Sequence, residues 1–516
     1  MKKIIIYISL LSFGLMSSCT EYIDEAFKNP NAPTQVTPGE LLPAMFANLA
    51  AGIQFDARFV GRYDQYWTVT GSSGSWDRFG YDIGSDNGGE KWRNHYFTLG
   101  QNTIFMMNAG RKEGKDEYVG AGHALFALSW LQLTDYHGDV ILKQAFDTER
   151  LIFEYDSQEE TYKKVQMHCD SAEFYFNRMA LKAPSADFTE ADKWFYGGNI
   201  TKWKKFVAGV RAKVLHRYSL KGTYRPDDVI KNVDAALATA DDEAMVKYNS
   251  GPVSAADANV FSARRGNLPA YRPTDFFIRL LDGTVYTGIK DPRMAYLFKP
   301  STDLTFRGIT LNLGESTALP ANRRTFNFYG QPVNTAPAAS VGDVESRIFF
   351  KNDSKFPLMT VAELQFIKAE AAFLKGDKTT AFNAFQRGIR ASFDMFTMHF
   401  TGYTTFTPAQ VTSYITAVSP QVATDITIKD IMVQKYIALW GYGFDETWVD
   451  LRRYQYSPEV YPTWTVNTFF PDNTGRYAYR VRPRYNSEYL WNIDALKKVK
   501  GLDLDYHTIP MWFSEK

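Results

Sequence analysis

Three times along this chain a hydroxyl side chain stands three residues ahead of a glutamate, just before apolar residues at helical spacing: Thr37 before Glu40, Ser157 before Glu160, Thr360 before Glu363. Each pair is a helix-start signature. The hydroxyl accepts from an unpaired N–H of the first turn, and the carboxylate reaches back to the capping residue's own N–H. At the first start Pro38 occupies the opening helical position, where its missing N–H is harmless, and Leu42, Met45, Phe46, Leu49 and Ile53 then recur on one face. The second start leads into Tyr162, Val165, Cys169 and Phe176. The third opens Val361 to Leu374, with Gly376 as a C-terminal stop. The short Gly376-Asp377-Lys378 link demands antiparallel neighbours, so a hairpin of helices is predicted at 360–375 and 379–396. Ala369, Gly376, Ala381 and Phe385 fall near the packing positions of a degenerate tetratricopeptide unit, although no clean repeat of roughly 34 residues is visible. The fold class expected is mainly α, built from tetratricopeptide-like helical hairpins.

Between these helices the texture changes. Residues 250 to 350 are rich in Gly, Pro, Asn and Thr and read as long ordered loops with minor β structure. The run Gly71-Ser72-Ser73-Gly74-Ser75-Trp76-Asp77-Arg78-Phe79-Gly80-Tyr81 is similar, and residues 455–490 are again loop-like, with Arg480, Arg482 and Arg484 alternating among aromatic neighbours. Loops this long inside a compact domain are uncommon and often functional.

The N-terminus carries an address. Met1-Lys2-Lys3 is basic, Ile4 to Met16 is apolar, and Leu15-Met16-Ser17-Ser18 precedes Cys19. The apolar run is about half the length that spans a bilayer, so it reads as a signal peptide over 1–18. Small residues before the cysteine make Cys19 the expected lipidation site, the alternative being an ordinary secretory leader with an incidental cysteine. Residues 19–36, with Asn29-Pro30-Asn31-Ala32-Pro33-Thr34, form the tether, and 37–516 a single domain. Lipid on Cys19 leaves Cys169 alone, so no disulfide framework exists. Cys169 sits in a helical pattern and reads as a buried structural thiol.

Charge narrows the partners. Lys plus Arg is 58 against 57 Asp plus Glu, with no basic stripe, which argues against nucleic acid. The 11 Trp, 31 Tyr and 38 Phe suit both a core and sugar-stacking surfaces, and composition does not choose between them. The seven histidines are scattered without a metal-ligand pair, Gly114-Lys115 is followed by Asp116 where a P-loop needs Ser or Thr, and no nucleophile elbow occurs, so no metal and no cofactor are expected. Carboxylates are too plentiful for sequence to rule a glycosidase pair in or out.

Several ordered elements resemble one family, the SusD/RagB nutrient-binding lipoproteins of the bacterial outer membrane. They are Asn29-Pro30-Asn31-Ala32-Pro33; Leu133-Thr134-Asp135-Tyr136-His137-Gly138-Asp139-Val140, with Ile141 in place of the usual proline; and Glu154-Tyr155-Asp156-Ser157-Gln158-Glu159. Trp203-Lys204-Lys205-Phe206 with Arg211, Asp291-Pro292-Arg293, Ala362-Glu363 through Ala369-Glu370-Ala371, and Glu446-Thr447-Trp448 with Arg452-Arg453 continue the series. The resemblance implies a helical fold with four tetratricopeptide-like units, a loop-built ligand site, and a SusC-like TonB-dependent outer-membrane transporter as partner. Glu446, Trp448, Arg452 and Arg453 sit at helical spacing and read as structural pairing rather than a site.

The expected function is therefore non-enzymatic capture of a nutrient at the cell surface, most simply a glycan. A peptide ligand within the same family, a lipoprotein glycosidase and a pure protein-binding scaffold are the alternatives. The expected ligand-binding residues are Trp76, Asp77, Arg78, Phe79 and Tyr81, with Arg265, Asn327 and Tyr329 from the second loop-rich region. Equally open is that Trp76 and Tyr81 merely pin a long loop to the body.

Overall fold

The structure is a computed structural model that describes residues 36–516, apart from residues 73, 250, 252, 253, 339, 401 and 403–405. The leader, Cys19 and all but the last residue of the tether lie outside the described residues.

Helix α1 (Pro38–Tyr63) begins as its sequence demands, with Pro38 in the first turn and the Thr37 N–H donating to Glu40 Oε2 at 2.7 Å. It runs through the body and leads into strand β1 (Trp67–Val69). Helices α2 (Gly100–Glu113) and α3 (Asp116–His137) follow, the second buried on nearly every face, as a helix at the centre of a bundle must be. α3 packs along α4 (Gln158–Arg178), whose first turn is capped by Ser157 accepting from the Glu160 N–H. Helices α5 (Ile200–His216) and α6 (Pro226–Ala235) form a further pair.

The middle of the chain is mostly loop, tied by two small sheets. Strand β2 (Ala244–Val246) and strand β3 (Tyr271–Pro273) precede the short helix α7 (Asp275–Leu281), and strand β4 (Phe356–Met359) follows the long loops. β1 pairs antiparallel with β3, placing Thr68 opposite Arg272; β2 pairs antiparallel with β4. The first pairing fastens the segment after α1 to the second loop-rich region, some two hundred residues away in sequence.

The hairpin read from sequence is present as α8 (Val361–Lys375) and α9 (Lys378–His399). Thr360 accepts from the Glu363 N–H, Gly376 stops α8 in the left-handed region at φ 88°, and Asp377 caps α9. Helices α10 (Pro408–Val418), α11 (Ile428–Ala438) and α12 (Phe444–Arg453) complete the helical side.

What joins these helices is a buried ion network in which Asp135, Glu370, Glu446 and Arg453 of the family-like motifs meet Arg217, Lys435 and Asp450 from outside them. Arg217, just after α5, binds Asp135 of α3 at 2.9 Å and Glu446 of α12 at 2.6 Å. Lys435 of α11 binds Glu446 and Asp450, and Arg453 of α12 binds Glu370 of α8 at 2.5 Å. All these side chains are buried. Burial alone would push the Glu370 carboxyl up; Arg453 and His216 beside it hold it well below the usual carboxylate range. Cys169 is buried, with its thiol pushed up to about 12 by desolvation, an inert packing residue. Among the described residues no helix is long and apolar enough to cross a membrane.

Candidate ligand-binding cleft

The segment from Trp76 to Tyr81 is pinned inward rather than displayed. Ser75 opens a single helical turn, Trp76–Arg78, and Phe79 adopts φ 62° to turn the chain back. Trp76 is buried against Phe59 and Tyr63, with ring centroids 5.0 and 5.1 Å away, and its indole N–H donates to Asp82 Oδ2 at 2.9 Å. Asp77 is fully buried and takes the Arg62 Nε–H at 2.7 Å. Phe79 stacks on Tyr63, and Arg78 lies over the Phe470 ring. Tyr81 is covered by the Arg482 guanidinium, 4.0 Å from its centroid, and donates to Asp472. Trp76 and Tyr81 thus pin the loop to the body, and both also border a hollow of about 190 Å³. The cause is α1, whose last turns present Phe59 and Tyr63 as an aromatic bed directly beneath the loop.

The second group also builds rather than lines. Asn327 is buried and stitches three loops together: its amide N–H groups face the carbonyls of Pro269, Val333 and Thr335, and its Oδ1 accepts from the N–H groups of Tyr329 and Gln331. The buried Tyr329 hydroxyl accepts from the Leu268 N–H at 3.0 Å, and Arg265 donates to the carbonyls of Ala256 and Ala258.

Between these two frames lies a cleft of about 750 Å³. Thr70 and Gly71 form one wall, Glu315 and Arg324 another, and Arg272 and Asn334 the floor. Thr70 is held on both sides: its N–H donates to the Ala270 carbonyl, its carbonyl accepts from the Glu315 N–H at 2.9 Å, and its hydroxyl accepts from Asn334 Nδ2 at 2.9 Å. Gly314 lies at φ 69°, where a Cβ would stand 2.7 Å from the Thr70 carbonyl oxygen, so this approach of the two loops requires glycine. Arg272 donates to the carbonyls of Thr325 and Pro269 and to Asn334 Oδ1. Burial brings its guanidinium down to about 10, opposed by Glu315. Arg324 reaches the Thr317 carbonyl at 2.8 Å and Glu315 at 3.4 Å. The cleft thus offers donors and acceptors of both charges on a braced frame. Among the described residues no three His, Cys, Asp or Glu side chains converge as metal ligands.

Four side chains that line this cleft are not among those singled out from the sequence. Arg272, Glu315, Arg324 and Asn334 are spread along the second loop-rich region, without a spacing that sets them apart from solvated polar residues. Only the β1–β3 pairing and the Gly314 contact bring them together.

The comparisons with known proteins agree with this architecture. Residues 30–479 match a SusD-like family profile described as "Starch-binding associating with outer membrane". No curated protein matches the sequence. Among solved structures, a SusD homolog from Bacteroides fragilis shares 20% identity with a TM-score of 0.66, covering 93% of this chain and 100% of its own. A chitin-binding SusD homolog from Flavobacterium johnsoniae shares 19% identity with a TM-score of 0.68, covering 92% and 98%. A SusD-like protein from Bacteroidetes shares 18% identity with a TM-score of 0.71, covering 93% and 100%. At these identities the structural likeness speaks for the fold, and the profile match over most of the chain speaks for the family. This chain belongs to the SusD-like family of outer-membrane-associated nutrient-binding proteins, which bind and do not catalyse.

Proposed function

We propose that this protein, anchored by lipid at Cys19 and facing outward, captures an oligosaccharide in the Thr70–Arg324 cleft and delivers it to a SusC-like TonB-dependent transporter. The observation that carries the reading is the convergence of the two loop-rich segments on one braced, open cleft of about 750 Å³. That volume lies within the range of specific ligand sites. A sugar chain presents hydroxyls that both donate and accept, and this cleft supplies Glu315 as acceptor, Arg324 and Arg272 as donors, and Thr70 and Asn334 as either. The chitin-binding description of a relative with the same fold supports a glycan over a peptide.

Calorimetric titration of purified protein with chito-oligosaccharides, malto-oligosaccharides and peptides of matched length tests this. One glycan series is expected to bind, and Arg324→Ala to weaken it. Binding of peptides alone, or glycan binding indifferent to Arg324 and Asn334 substitutions, overturns the assignment. Chromatography of the recovered sugars should show them uncut; cleavage would revive the glycosidase alternative.

A further inference from the structure

Among the described residues that line the Thr70–Arg324 cleft there is no aromatic side chain. Its apolar surface is aliphatic, from Leu319, Ala321, Pro332 and Val333. The rings on which a neutral sugar would stack its C–H face are packed elsewhere, Trp67 in the core and Trp76 on α1. Recognition of a sugar in this cleft therefore falls to charge and hydrogen bonding.

The charge is unbalanced, with Arg272 and Arg324 standing against one carboxylate, Glu315. Arg272 is 1% exposed, beneath the floor, and its bonds go to neutral oxygens. Its Nε donates to the Thr325 carbonyl at 2.7 Å, Nη1 to the carbonyls of Pro269 and Tyr271, and Nη2 to Asn334 Oδ1. Among the described residues no carboxylate lies within ion-pair distance of it, and Glu315, farther off, only partly offsets the effect of burial. A cation held by dipoles keeps its charge, and low-dielectric walls focus that field into the opening.

Arg324 is the second pole. It meets Glu315 at a single contact of 3.4 Å and gives another N–H to the Thr317 carbonyl at 2.8 Å. Its Nε–H and one N–H on each Nη have no bond to the described residues. A guanidinium with donors to spare takes a carboxylate or sulfate through two parallel bonds. Glu315 is held back from the opening: its side chain is 6% exposed and its Oε1 accepts from the Thr325 N–H at 2.7 Å. Thr325 thus braces all three charges, through its N–H to Glu315, its carbonyl to Arg272 and its peptide bond to Arg324.

We infer that the cleft selects an acidic oligosaccharide, whose carboxylate or sulfate ester sits on the Arg324 fork over the buried charge of Arg272. This rests on the reading of the cleft as an oligosaccharide site and names the class of sugar it takes. The acidic group supplies the counter-charge that the protein lacks there, the aliphatic wall meets ring C–H groups, and Thr70 and Asn334 serve hydroxyls. An uncharged sugar forgoes the charge pairing and finds no ring to stack on.

Calorimetry on the purified protein tests this with oligogalacturonates, which carry carboxylates, and sulfated carrageenan oligosaccharides. The comparison ligands are chito- and malto-oligosaccharides of the same length and an acidic peptide. At about 0.15 M salt one acidic series is expected to bind about tenfold or more tightly than either neutral series, and to lose much of that advantage at about 1 M. Which acidic series binds decides between carboxylate and sulfate. Arg324→Gln should bring acidic and neutral affinities within about threefold of each other, with the melting curve unchanged. Glu315→Gln keeps an acceptor for the Thr325 N–H and removes the competing charge, so it should tighten the acidic series and leave the neutral series no tighter. Neutral sugars bound as tightly as acidic ones would overturn the selectivity and leave the cleft an oligosaccharide site. Acidic binding that is indifferent to Arg324→Gln, or weakened by Glu315→Gln, overturns it as well. If no sugar binds, or the acidic peptide alone does, both readings fall.

Discussion

Arg324 and Trp76 separate binding from packing at the scale of single residues. Arg324 is half-buried in the cleft wall, and its loss removes one charged donor without opening the core. Arg324→Ala is expected to weaken oligosaccharide binding by about 1–3 kcal/mol with little change in melting temperature, read by calorimetry and thermal denaturation. Trp76 lies in the aromatic bed on α1, so Trp76→Ala is expected to lower stability by about 3–5 kcal/mol in urea unfolding and to leave the affinity of the folded fraction for oligosaccharide unchanged. Buried histidines set the response to acid. Burial pushes His95 and His137 down to about 3. The unfolded chain takes up these protons near pH 6.5, so the stability present above that pH is lost as pH falls toward 3, by about 2 kcal/mol for each histidine at pH 5. Asp56, raised to about 6 by burial, acts in the opposite sense, adding about 1–2 kcal/mol as pH falls from 6 toward 5. Urea midpoints at pH 7.5 and 5 should therefore show a net loss, and His137→Gln should shrink the difference by about 2 kcal/mol.

At the scale of elements, the helices are held by charges that no single helix satisfies. Arg453 neutralises Glu370 across the α12–α8 contact and Asp450 within its own helix. Arg453→Met strands a buried carboxylate, and a loss of about 3–5 kcal/mol is expected in urea unfolding. The Thr360 cap is local, and Thr360→Ala should remove about 1 kcal/mol by the same measurement. The contrast also explains what could be read in advance. The cap and its helix follow from neighbours three and four residues away, whereas Arg453 and Glu370 are 83 residues apart and their pairing was legible only as a family-like motif.

At the scale of the whole molecule, anchoring and transport are one proposal with two handles. Cys19→Ala is expected to release the protein from the membrane fraction without altering its fold, and retention at wild-type levels would remove the anchor from the account. The helical class, the α8–α9 hairpin and the inert Cys169 were determined by the sequence itself, because helix starts, stops and one-sided apolar periodicity are short-range properties of the backbone. The loop-rich regions were legible as regions for the same reason: Gly, Pro and Asn mark where regular structure cannot continue. Which side chains line the proposed cleft was decided only by tertiary structure. Trp76 and Tyr81 turned inward because α1 offered them an aromatic surface, Asn327 and Tyr329 became braces because three loops crossed there, and Arg272, Glu315, Arg324 and Asn334 became neighbours through a strand pairing and one close glycine contact. Those outcomes depend on distances between residues far apart in the chain, and a linear pattern carries no record of them.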